Sequence, residues 1–430
     1  MPVDPYLPGH GSEAYDVTHY NLELDYAVGS NLLVGNATLT IRVNRSLDKL
    51  RLDLYRLKVE KLQVTGHRGV KFRQSLGHLH VALPREVGAG SELTLTLRYR
   101  GNPGVVRDRA GEAGWEELTD GALTACQPGG APTWFPCNDR PSNKATYRFV
   151  IRVDANYFVV ANGNRVAQDR RGSTCTWTYD EPHPISTYLA CLGIGRYTEV
   201  PQPGSVPMAG VVSSLRRSDY LAAFDDQPAM LAFYARLFGP YPFASYRAVI
   251  TDDDLEIPLE AGGFSTFGAN FLNREWHAQR LIAHELAHQW FGNSVTARRW
   301  QDIWLHEGFA CYCEWLWSEE SGGDSAHTWA EHHHERLQSL PQDLVLSDPG
   351  AEDMFDDRVY KRGALTLHAL RLRLGDSVFF DLLKTWATEN RHGLVSSADF
   401  EAAAERIAGA PLDDFFRAWL QETTLPPLES

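Results

Sequence analysis

The chain has 430 residues, 43% of them hydrophobic and 12 of them tryptophan, which is enough apolar material for the cores of two to three domains. Its 41 basic and 55 acidic residues give a formal net charge of -14, which argues against nucleic acid or an anionic membrane as the main partner. Residues 1–8 carry neither the regions of a secretion signal nor a membrane anchor. We therefore expect a cytoplasmic protein, and we expect it to be a monomer.

Six cysteines are scattered along the chain, without the C-x-x-C spacing of a structural zinc site or a redox motif. Cytoplasmic thiols stay reduced, so we expect free and mostly buried side chains. Cys311 and Cys313 lie two residues apart, which on one helix points them to different faces. We do not expect these two thiols to share a ligand.

The first half of the chain alternates apolar and polar residues with period two, which is typical of half-buried strands. Turn-forming clusters such as Asn162-Gly163-Asn164 separate the alternating runs. The sequence therefore predicts a largely antiparallel β domain. Its alternating apolar positions include Leu22, Leu24 and Tyr26; Ala37, Leu39, Ile41 and Val43; Leu93, Leu95 and Leu97; and Tyr147, Phe149, Ile151 and Val153.

The pattern changes at the proline- and glycine-containing segment 200–204, after which apolar residues recur at helical spacing. We place the domain boundary near residue 205, which gives a β domain over 1–205 and a mainly helical domain over 206–430. The fold class is therefore α+β. A first helix is predicted from Tyr220 to Phe238, ending at Gly239-Pro240, and others over roughly 302–320, 325–340, 359–374, 376–390, 397–408 and 412–421.

The most informative stretch is His284-Glu285-Leu286-Ala287-His288, in which two histidines lie four residues apart. On a helix this spacing puts both imidazoles on one face, within reach of one ion. Glu307 follows nineteen residues later and can complete the set, because a catalytic zinc takes three protein ligands and keeps one position for water. Glu285 lies beside that position as a candidate general base. The residues predict a site for one Zn²⁺ per chain, against the alternative of a buried, satisfied histidine pair.

With this motif the chain resembles the aminopeptidase N family of zinc metallopeptidases, gluzincins in which H-E-x-x-H is followed by a glutamate after eighteen intervening residues. The resemblance covers nearly the whole chain and implies a saddle-like N-terminal β domain followed by a thermolysin-like catalytic domain. Because the sequence ends at Ser430, it also implies that the large helical C-terminal domain of many members is absent. The matching segments are Gln127 with 134–139, 238–243, 304–310 and 360–363.

The resemblance assigns His284, His288 and Glu307 as zinc ligands and Glu285 as the base that activates the zinc-bound water. General chemistry agrees, because zinc lowers the pKa of bound water to about 7 and an adjacent carboxylate can move the proton to the leaving amine. Tyr360 matches the tyrosine of the family's Y-x-K-G pattern, whose phenol hydrogen-bonds the oxyanion. Without the resemblance, Tyr360 is an ordinary tyrosine on an amphipathic helix.

An aminopeptidase must also recognise a free amino terminus, which requires a carboxylate at a fixed distance from the metal. The family's G-x-M-E-N segment corresponds to Ile257-Pro258-Leu259-Glu260-Ala261, which keeps the glutamate and replaces the first glycine and the asparagine. We expect Glu260 to anchor the amine, with Gln127 from the β domain as a helper. Glu256 is the competing assignment, and its alternative role is a surface charge.

Three further residues are candidates for supporting the ligands, since ligating histidines usually donate their second N–H to a carboxylate or carbonyl. They are Asp302, His306 and Glu314; the alternatives are a packing role for His306 and a helix-surface position for the two acids. The run His332-His333-His334 is interpreted as a solvated helix face rather than a ligand set.

The expected function is a zinc-dependent aminopeptidase that removes single residues from peptides with a free N-terminus. Two alternatives stay open: an epoxide hydrolase of the leukotriene hydrolase type, which the same family contains, and a non-catalytic scaffold. Hydrolysis of a lipid epoxide would favour the first, and zinc binding without turnover would favour the second. An endopeptidase of the thermolysin type is a further option, favoured if N-terminal acetylation fails to protect a peptide.

Overall fold

The computed structural model of the protein describes residues 3–108 and 111–428. Strands fill the first half of the chain and helices most of the second, so the predicted α+β class is confirmed. In the described ranges, none of the helices combines the length and the apolar composition that crossing a membrane requires.

Fifteen strands form the N-terminal part of the described chain. They are β1 (Tyr15–Ala27), β2 (Leu32–Val43), β3 (Leu47–Asp53), β4 (Lys58–Val64), β5 (Lys71–Ser75), β6 (His78–Val87), β7 (Glu92–Gly101), β8 (Val105–Asp108), β9 (Gly111–Leu118), β10 (Gly121–Ala125), β11 (Lys144–Asp154), β12 (Phe158–Ala161), β13 (Asn164–Arg171), β14 (Thr174–Ser186) and β15 (Leu192–Gly195).

These strands form three sheets in the described part of the chain. The largest has seven strands in the order β13-β14-β11-β1-β2-β7-β4, and the others have the orders β12-β15-β10-β9-β8 and β3-β6-β5. Neighbours in the largest sheet are antiparallel except for the parallel pair β1 and β11. Leu22, Leu24 and Tyr26 on β1 are all buried, as their alternation predicted. Each fully buried side chain of this size contributes roughly 1.5–3 kcal/mol of transfer free energy.

The second part of the chain places helices around a five-stranded sheet of order β16-β17-β18-β20-β19. The predicted boundary near residue 205 falls between β16 and β17 and stays a prediction. The strands are β16 (Tyr197–Gln202), β17 (Met208–Ser213), β18 (Tyr246–Ile250), β19 (Leu259–Ala261), β20 (Phe264–Phe267), β21 (Thr296–Ala297) and β22 (Leu394–Val395). The helices are α1 (Arg217–Ala223), α2 (Gln227–Phe238), α3 (Trp276–Ala287), α4 (Trp304–Glu320), α5 (Ala326–Gln338), α6 (Asp357–Leu374), α7 (Asp376–Glu389), α8 (Ser397–Ala408) and α9 (Asp413–Phe416), with a π-helical turn over Arg417–Gln421.

The prediction of one helix from Tyr220 to Phe238 is wrong, because the structure has α1 and α2 separated at residues 224–226. Pro228 explains the break, since its ring would clash with the carbonyl of Phe224 and it has no N–H for that bond. In the first turn of α2 this missing donor costs nothing. The other predicted helices are confirmed, with ends shifted by a few residues.

Two glycines let α4 and α6 approach until their backbones touch. A Cβ atom on Gly308 of α4 would lie 2.7 Å from the Cα atom of Gly363 on α6, closer than side-chain atoms approach. Glu307 and Tyr360 lie one and three residues from these glycines. The contact therefore sets the spacing between two candidate site residues.

The prediction of a solvated His332-His333-His334 face holds only for His332, which is exposed. His333 is half-buried and its ring stacks on Trp315, while His334 is buried and its Nε2 lies 2.7 Å from the Pro426 carbonyl. Three consecutive helical residues point about 100° apart, so they cannot share one solvated face. All six cysteines are free and buried, as predicted.

Candidate metal centre and active site

Three side chains from two helices converge at one point in the catalytic part of the chain. His284 lies in the last turn of α3 and His288 immediately follows the helix, while Glu307 lies in the first turn of α4. Their ligand atoms all lie within 4.8 Å of one another, and all three side chains are buried. The predicted ligand set is thus brought together, and it can hold a metal ion.

The spacing of these atoms fits a tetrahedral zinc ion. The Nε2 atoms of His284 and His288 each lie 3.4 Å from Oε2 of Glu307. Two atoms that are each about 2.0–2.1 Å from a tetrahedral zinc lie about 3.4 Å apart. Two imidazoles and one carboxylate are also the donor types of catalytic zinc sites that keep one position open.

Each histidine is oriented by a partner at its other ring nitrogen. Nδ1 of His284 lies 2.8 Å from Oε1 of Glu314 on α4, and Nδ1 of His288 lies 3.0 Å from the Phe291 carbonyl. Because both partners accept hydrogen bonds, Nδ1 donates in each ring, and Nε2 is the ring nitrogen that faces Glu307. Arg280 donates to the other oxygen of Glu314 at 3.2 Å, which keeps that carboxylate charged and in place.

Asp302 and His306 have other partners. Asp302 accepts from the backbone and the hydroxyl of Ser397, at 3.1 and 2.6 Å, at the start of α8. His306 is buried, its Nε2 accepts from the Ala297 N–H at 2.7 Å, and burial lowers its pKa to about 3. Of the three predicted supporting residues, only Glu314 makes a side-chain hydrogen bond with a member of the metal cluster.

Strong electrostatic coupling accompanies the burial of these groups. Burial acts to raise the pKa of Glu307, but the two neighbouring histidines hold it well below its usual range. Burial acts to lower the pKa of His288, but the carboxylates of Glu307 and Glu260 outweigh it and raise that pKa to about 10. A cluster that balances buried charges in this way is typical of a functional site.

Glu285 has a buried carboxylate oxygen without a hydrogen-bond partner among the described residues. Burial raises the pKa of Glu285 to about 8, and the charges of His284 and His288 act against this rise, so its carboxylate lies near the ligands. An unpaired buried carboxylate oxygen is costly unless another group completes it. A divalent ion with its water is such a group, and its charge acts against the effect of burial on this pKa.

Glu260 is positioned near the metal cluster by its own strand and by a hydrogen bond from the N-terminal part of the chain. It lies on β19, the edge strand of the five-stranded sheet, and burial raises its pKa. Gln127, which follows β10 in the N-terminal part, donates from Nε2 to Oε1 of Glu260 at 2.8 Å. The structure therefore brings Glu260 and Gln127 together, as expected from the sequence.

Glu256 differs from Glu260 in its surroundings, although both lie near one cavity. The cavity has a volume of about 1160 Å³ and is lined by residues from both parts of the chain, among them Gln127, Glu256 and Tyr360. Glu256 is exposed at its wall. An exposed carboxylate holds a substrate ammonium less tightly than a desolvated one, which favours Glu260.

Tyr360 lies in the first turn of α6, beside the metal cluster. Its ring stacks on that of His284 with the centroids 6.1 Å apart and the planes at 19°. Burial, followed by the charges of Glu307 and Glu260, raises its pKa well above 10. The phenol therefore stays protonated at neutral pH and is a hydrogen-bond donor beside the cluster.

Two polar residues that the sequence analysis missed connect β19 to the end of α3. Gln289 donates from Nε2 to the Ala261 carbonyl at 3.1 Å and accepts from the Gly263 N–H at 2.9 Å. Asn293 donates to the same Ala261 carbonyl at 2.9 Å. These bonds fix Glu260 relative to His288. In the sequence, Gln289 and Asn293 could have been noticed as two amide side chains in the otherwise mostly apolar stretch that directly follows His288.

Family comparisons agree with this geometry. Residues 16–189 match the Peptidase M1 N-terminal domain, and residues 222–419 match the Peptidase family M1 domain. The M1 zinc metallopeptidase from Deinococcus radiodurans is 32% identical, with a TM-score of 0.92 and coverage of 100% of both chains. The chain belongs to the M1 family of zinc metallopeptidases. Zinc is therefore the cofactor of this M1 protein.

Ligands bound to similar M1 structures are peptides or amino acids. A glutamate-to-alanine variant of the Deinococcus radiodurans protein, 32% identical to this chain, binds the tripeptide Tyr-Ser-Ala. A two-domain M1 zinc metallopeptidase variant, 32% identical with a TM-score of 0.91 and 100% coverage of both chains, binds L-arginine.

Curated M1 relatives are longer. A leucyl aminopeptidase of Saccharolobus solfataricus is 24% identical over 95% of this chain and 54% of its own length. An aminopeptidase N of Lactococcus lactis is 27% identical over 68% of this chain and 38% of its own length. The chain thus spans about half, or less, of these relatives.

Proposed function

We propose that this protein is a zinc-dependent aminopeptidase that hydrolyses the first peptide bond of peptides with a free N-terminus. The observation that carries the proposal is the half-buried carboxylate of Glu260, held by Gln127 at 2.8 Å beside the metal cluster. A negative group at a fixed place selects the ammonium group of a chain end over an internal peptide unit. The aminopeptidase names of the curated relatives support the same activity.

The proposed zinc ligands are His284, His288 and Glu307. Zinc, when bound, supplies a Lewis acid for the peptide carbonyl and lowers the pKa of water. Glu285 takes the proton of the attacking water and passes it to the leaving amine, a step that typically contributes about 10²–10⁴-fold. Its unpaired Oε2 is available for that proton.

Tyr360 and Glu260 position and stabilise the reacting peptide in this proposal. The protonated phenol of Tyr360 donates to the oxyanion that forms when the carbonyl is attacked. Glu260, with Gln127, holds the substrate ammonium, and the cavity of about 1160 Å³ accommodates the residues that follow. Binding both ends of the reacting unit places the scissile carbonyl next to the metal and the base.

We also propose that the protein acts as a cytoplasmic monomer on peptides, without nucleic acid or membrane partners. The net charge of -14 and the six free cysteines support this proposal. Light scattering of the purified protein and fractionation of the source cells test it. A stable dimer, or recovery in a membrane or secreted fraction, would contradict it.

The test of the activity is hydrolysis of matched free and N-acetylated peptides, with zinc content and chelator sensitivity measured on the same sample. Release from free peptides alone, lost with chelator and restored by zinc, is expected. Equal cleavage of acetylated peptides would indicate an endopeptidase. Zinc binding without release would move the assignment to epoxide hydrolysis, tested with a lipid epoxide, or to a scaffold.

A further inference from the structure

A second cavity, of about 700 Å³, lies on the junction between the two parts of the chain. Its walls come from the ends of β1, β2 and β11 on one side and from the loops at β21 and β22 on the other. It shares no lining residue with the cavity that contains Tyr360. Small-molecule sites typically have volumes of about 300–1,000 Å³, so this one is large enough for a ligand.

Positive charge predominates in this second cavity, although the whole chain has a net charge of -14. The acids in its lining are Glu13 and Asp16. The cationic side chains are Arg42, Arg140, Lys144, Arg298 and Arg299. Low-dielectric walls that carry one sign of charge focus the field and concentrate ions of the opposite sign.

The two acids do not neutralise this charge. Asp16 binds Arg42 at 3.0 Å and also Arg140, while Glu13 lies 3.6 Å from Arg45, which does not line the cavity. Within the described ranges, no carboxylate lies within 4.0 Å of a cationic nitrogen of the remaining three side chains. These three are Lys144, Arg298 and Arg299.

Backbone carbonyls are the acceptors that the unneutralised cations contact. Lys144 donates from Nζ to the carbonyls of Ser294 and Asn293 at 2.6 and 3.3 Å, and Arg298 donates to the Leu394 carbonyl at 3.2 Å. These acceptors are neutral, so they do not cancel the positive charge of Lys144 and Arg298. Burial raises the pKa of Asp302, and the charge of Arg299 is close enough to act against this rise, but the two side chains do not pair directly. Burial lowers the pKa of Lys144 to about 7, as expected for an ammonium that has lost water without gaining an anion.

Buried donor and ring atoms at the same cavity also lack partners. Nε of Arg140 and Nδ1 of His392 are buried and have no hydrogen-bond partner among the described residues. Both residues line the cavity. Buried polar atoms are rarely left unpaired unless a ligand, ion or water completes them. Their position beside unneutralised cations indicates an acceptor-rich, anionic ligand.

We propose that this cavity binds a small oxyanion of the phosphate class, held by Arg298 and Arg299 from one side of the junction and by Lys144 from the other. Guanidinium groups present several donors in a planar fork that matches phosphate oxygens, and an ammonium adds a point charge. The ligand is inorganic phosphate or the phosphate group of a larger molecule.

A bound anion would join the two sides of the junction and would be linked to the end of α3 through Lys144. Without it, like charges face each other across the cavity, and with it each side gains a shared partner. Lys144 contacts the carbonyl of Asn293, whose N–H donates to the His288 carbonyl at 2.9 Å. The site is therefore two contacts from a proposed zinc ligand.

The experiment is calorimetric titration of the zinc-loaded protein with inorganic phosphate, pyrophosphate and AMP at constant ionic strength. The test variant is the double substitution Arg298→Gln/Arg299→Gln. The matched control is Arg170→Gln/Arg171→Gln, an adjacent exposed pair on β13 that lines neither cavity. Arg299→Gln alone is a second variant, because the Arg299 side chain makes no hydrogen bond with a described residue whose loss would unfold the protein.

Wild type and control are expected to bind at least one of the three anions, with at least tenfold weaker binding in the double variant. The anion should also raise the Tm of wild type more than sodium chloride does at equal ionic strength. A higher affinity for AMP or pyrophosphate than for inorganic phosphate would indicate that the ligand is a larger phosphate-bearing molecule. An equal or higher affinity for inorganic phosphate would indicate that the ligand is the free ion. Either preference supports the proposal.

Three results would overturn the site: no binding of any of the three anions to wild type, equal affinity in the cavity variants and the control, or a Tm shift that sodium chloride reproduces. The measurement is of binding and requires no peptidase activity. Its outcome is therefore independent of the proposed aminopeptidase function.

Discussion

At the scale of single residues, the role of Glu285 as the base can be tested separately from zinc binding. Replacing Glu285 with Gln keeps the shape and leaves the three proposed ligands intact, but removes the proton acceptor. We expect full zinc content and a decrease in kcat of about 10²–10⁴-fold. Zinc analysis and steady-state kinetics on one sample check this, and near wild-type turnover would show that another group is the base.

Glu260 and Glu256 provide a matched pair for locating the amine anchor. Glu260→Ala should lower kcat/KM for free peptides by roughly tenfold or more, because it removes a charge-assisted hydrogen bond in a desolvated place. Glu256→Ala, an exposed position at the wall of the same cavity, should change it little. Measuring kcat/KM of both variants on one series of peptides tests this prediction. A larger loss in the Glu256 variant than in the Glu260 variant would show that Glu256 anchors the amine.

At the scale of elements, α4 supplies both a proposed ligand and the carboxylate that orients another. Glu314→Gln should weaken zinc binding about 10–100-fold, since it loosens the hydrogen bond that holds His284. Competition with a chelator measures the affinity. Asp302→Asn is the control, because Asp302 binds Ser397 and should affect stability but not zinc affinity.

The contact between α4 and α6 gives a second prediction at this scale. Gly308→Ala places a methyl group 2.7 Å from the Gly363 backbone, so the helices must separate. We expect a loss of about 1–3 kcal/mol in the free energy of unfolding and a lower kcat, because Glu307 and Tyr360 move apart. Gly88→Ala, which meets nothing within 4 Å, is the control. An unchanged kcat in the Gly308 variant would show that catalysis does not depend on the close approach of α4 and α6.

At the scale of the whole molecule, several buried histidines make stability depend on pH. Burial lowers the pKa of His306 and His392 to about 3 and that of His368 to about 4, against an ordinary value of 6.5. Below pH 6.5 the unfolded chain takes up protons that the folded chain does not. These three histidines therefore stabilise the folded protein fully above pH 6.5 and progressively less as the pH decreases from 6.5 toward 4. Glu285, whose pKa burial raises to about 8, acts in the opposite direction between pH 8 and about 4.5.

Denaturant titrations between pH 7 and about 4.5 measure this effect before most carboxylates titrate. His284 has a raised pKa, so its contribution is lost at higher pH and lies outside this window. His306→Asn should reduce the slope of stability against pH. An unchanged slope would show that His306 is protonated in the folded protein.

Features of the structure that depend on a local sequence pattern could be predicted, whereas features that depend on contacts between distant segments could not. The convergence of His284, His288 and Glu307 depends on helical spacing and on one distal residue, so the positions of these residues were predictable, while the role of Glu285 stays a prediction. The roles of Gln289 and Asn293 depend on how β19 packs against the end of α3, which no local pattern records. The burial of His334 depends in the same way on Pro426, 92 residues away. The second cavity is lined by residues from several separate segments, so it can be recognised only in the folded structure.

The hydrogen bond between Gln127 and Glu260 has a consequence for modularity. The three proposed zinc ligands lie on α3, directly after it and on α4, all in one continuous part of the chain. In the proposed function, recognition of the substrate amine is shared with the strand domain, because Gln127 holds Glu260. A chimera that combines this catalytic part with a strand domain lacking such an amide should retain zinc while its discrimination between free and blocked peptides declines. If the chimera behaves in this way, the two parts of the chain must be engineered together to change specificity.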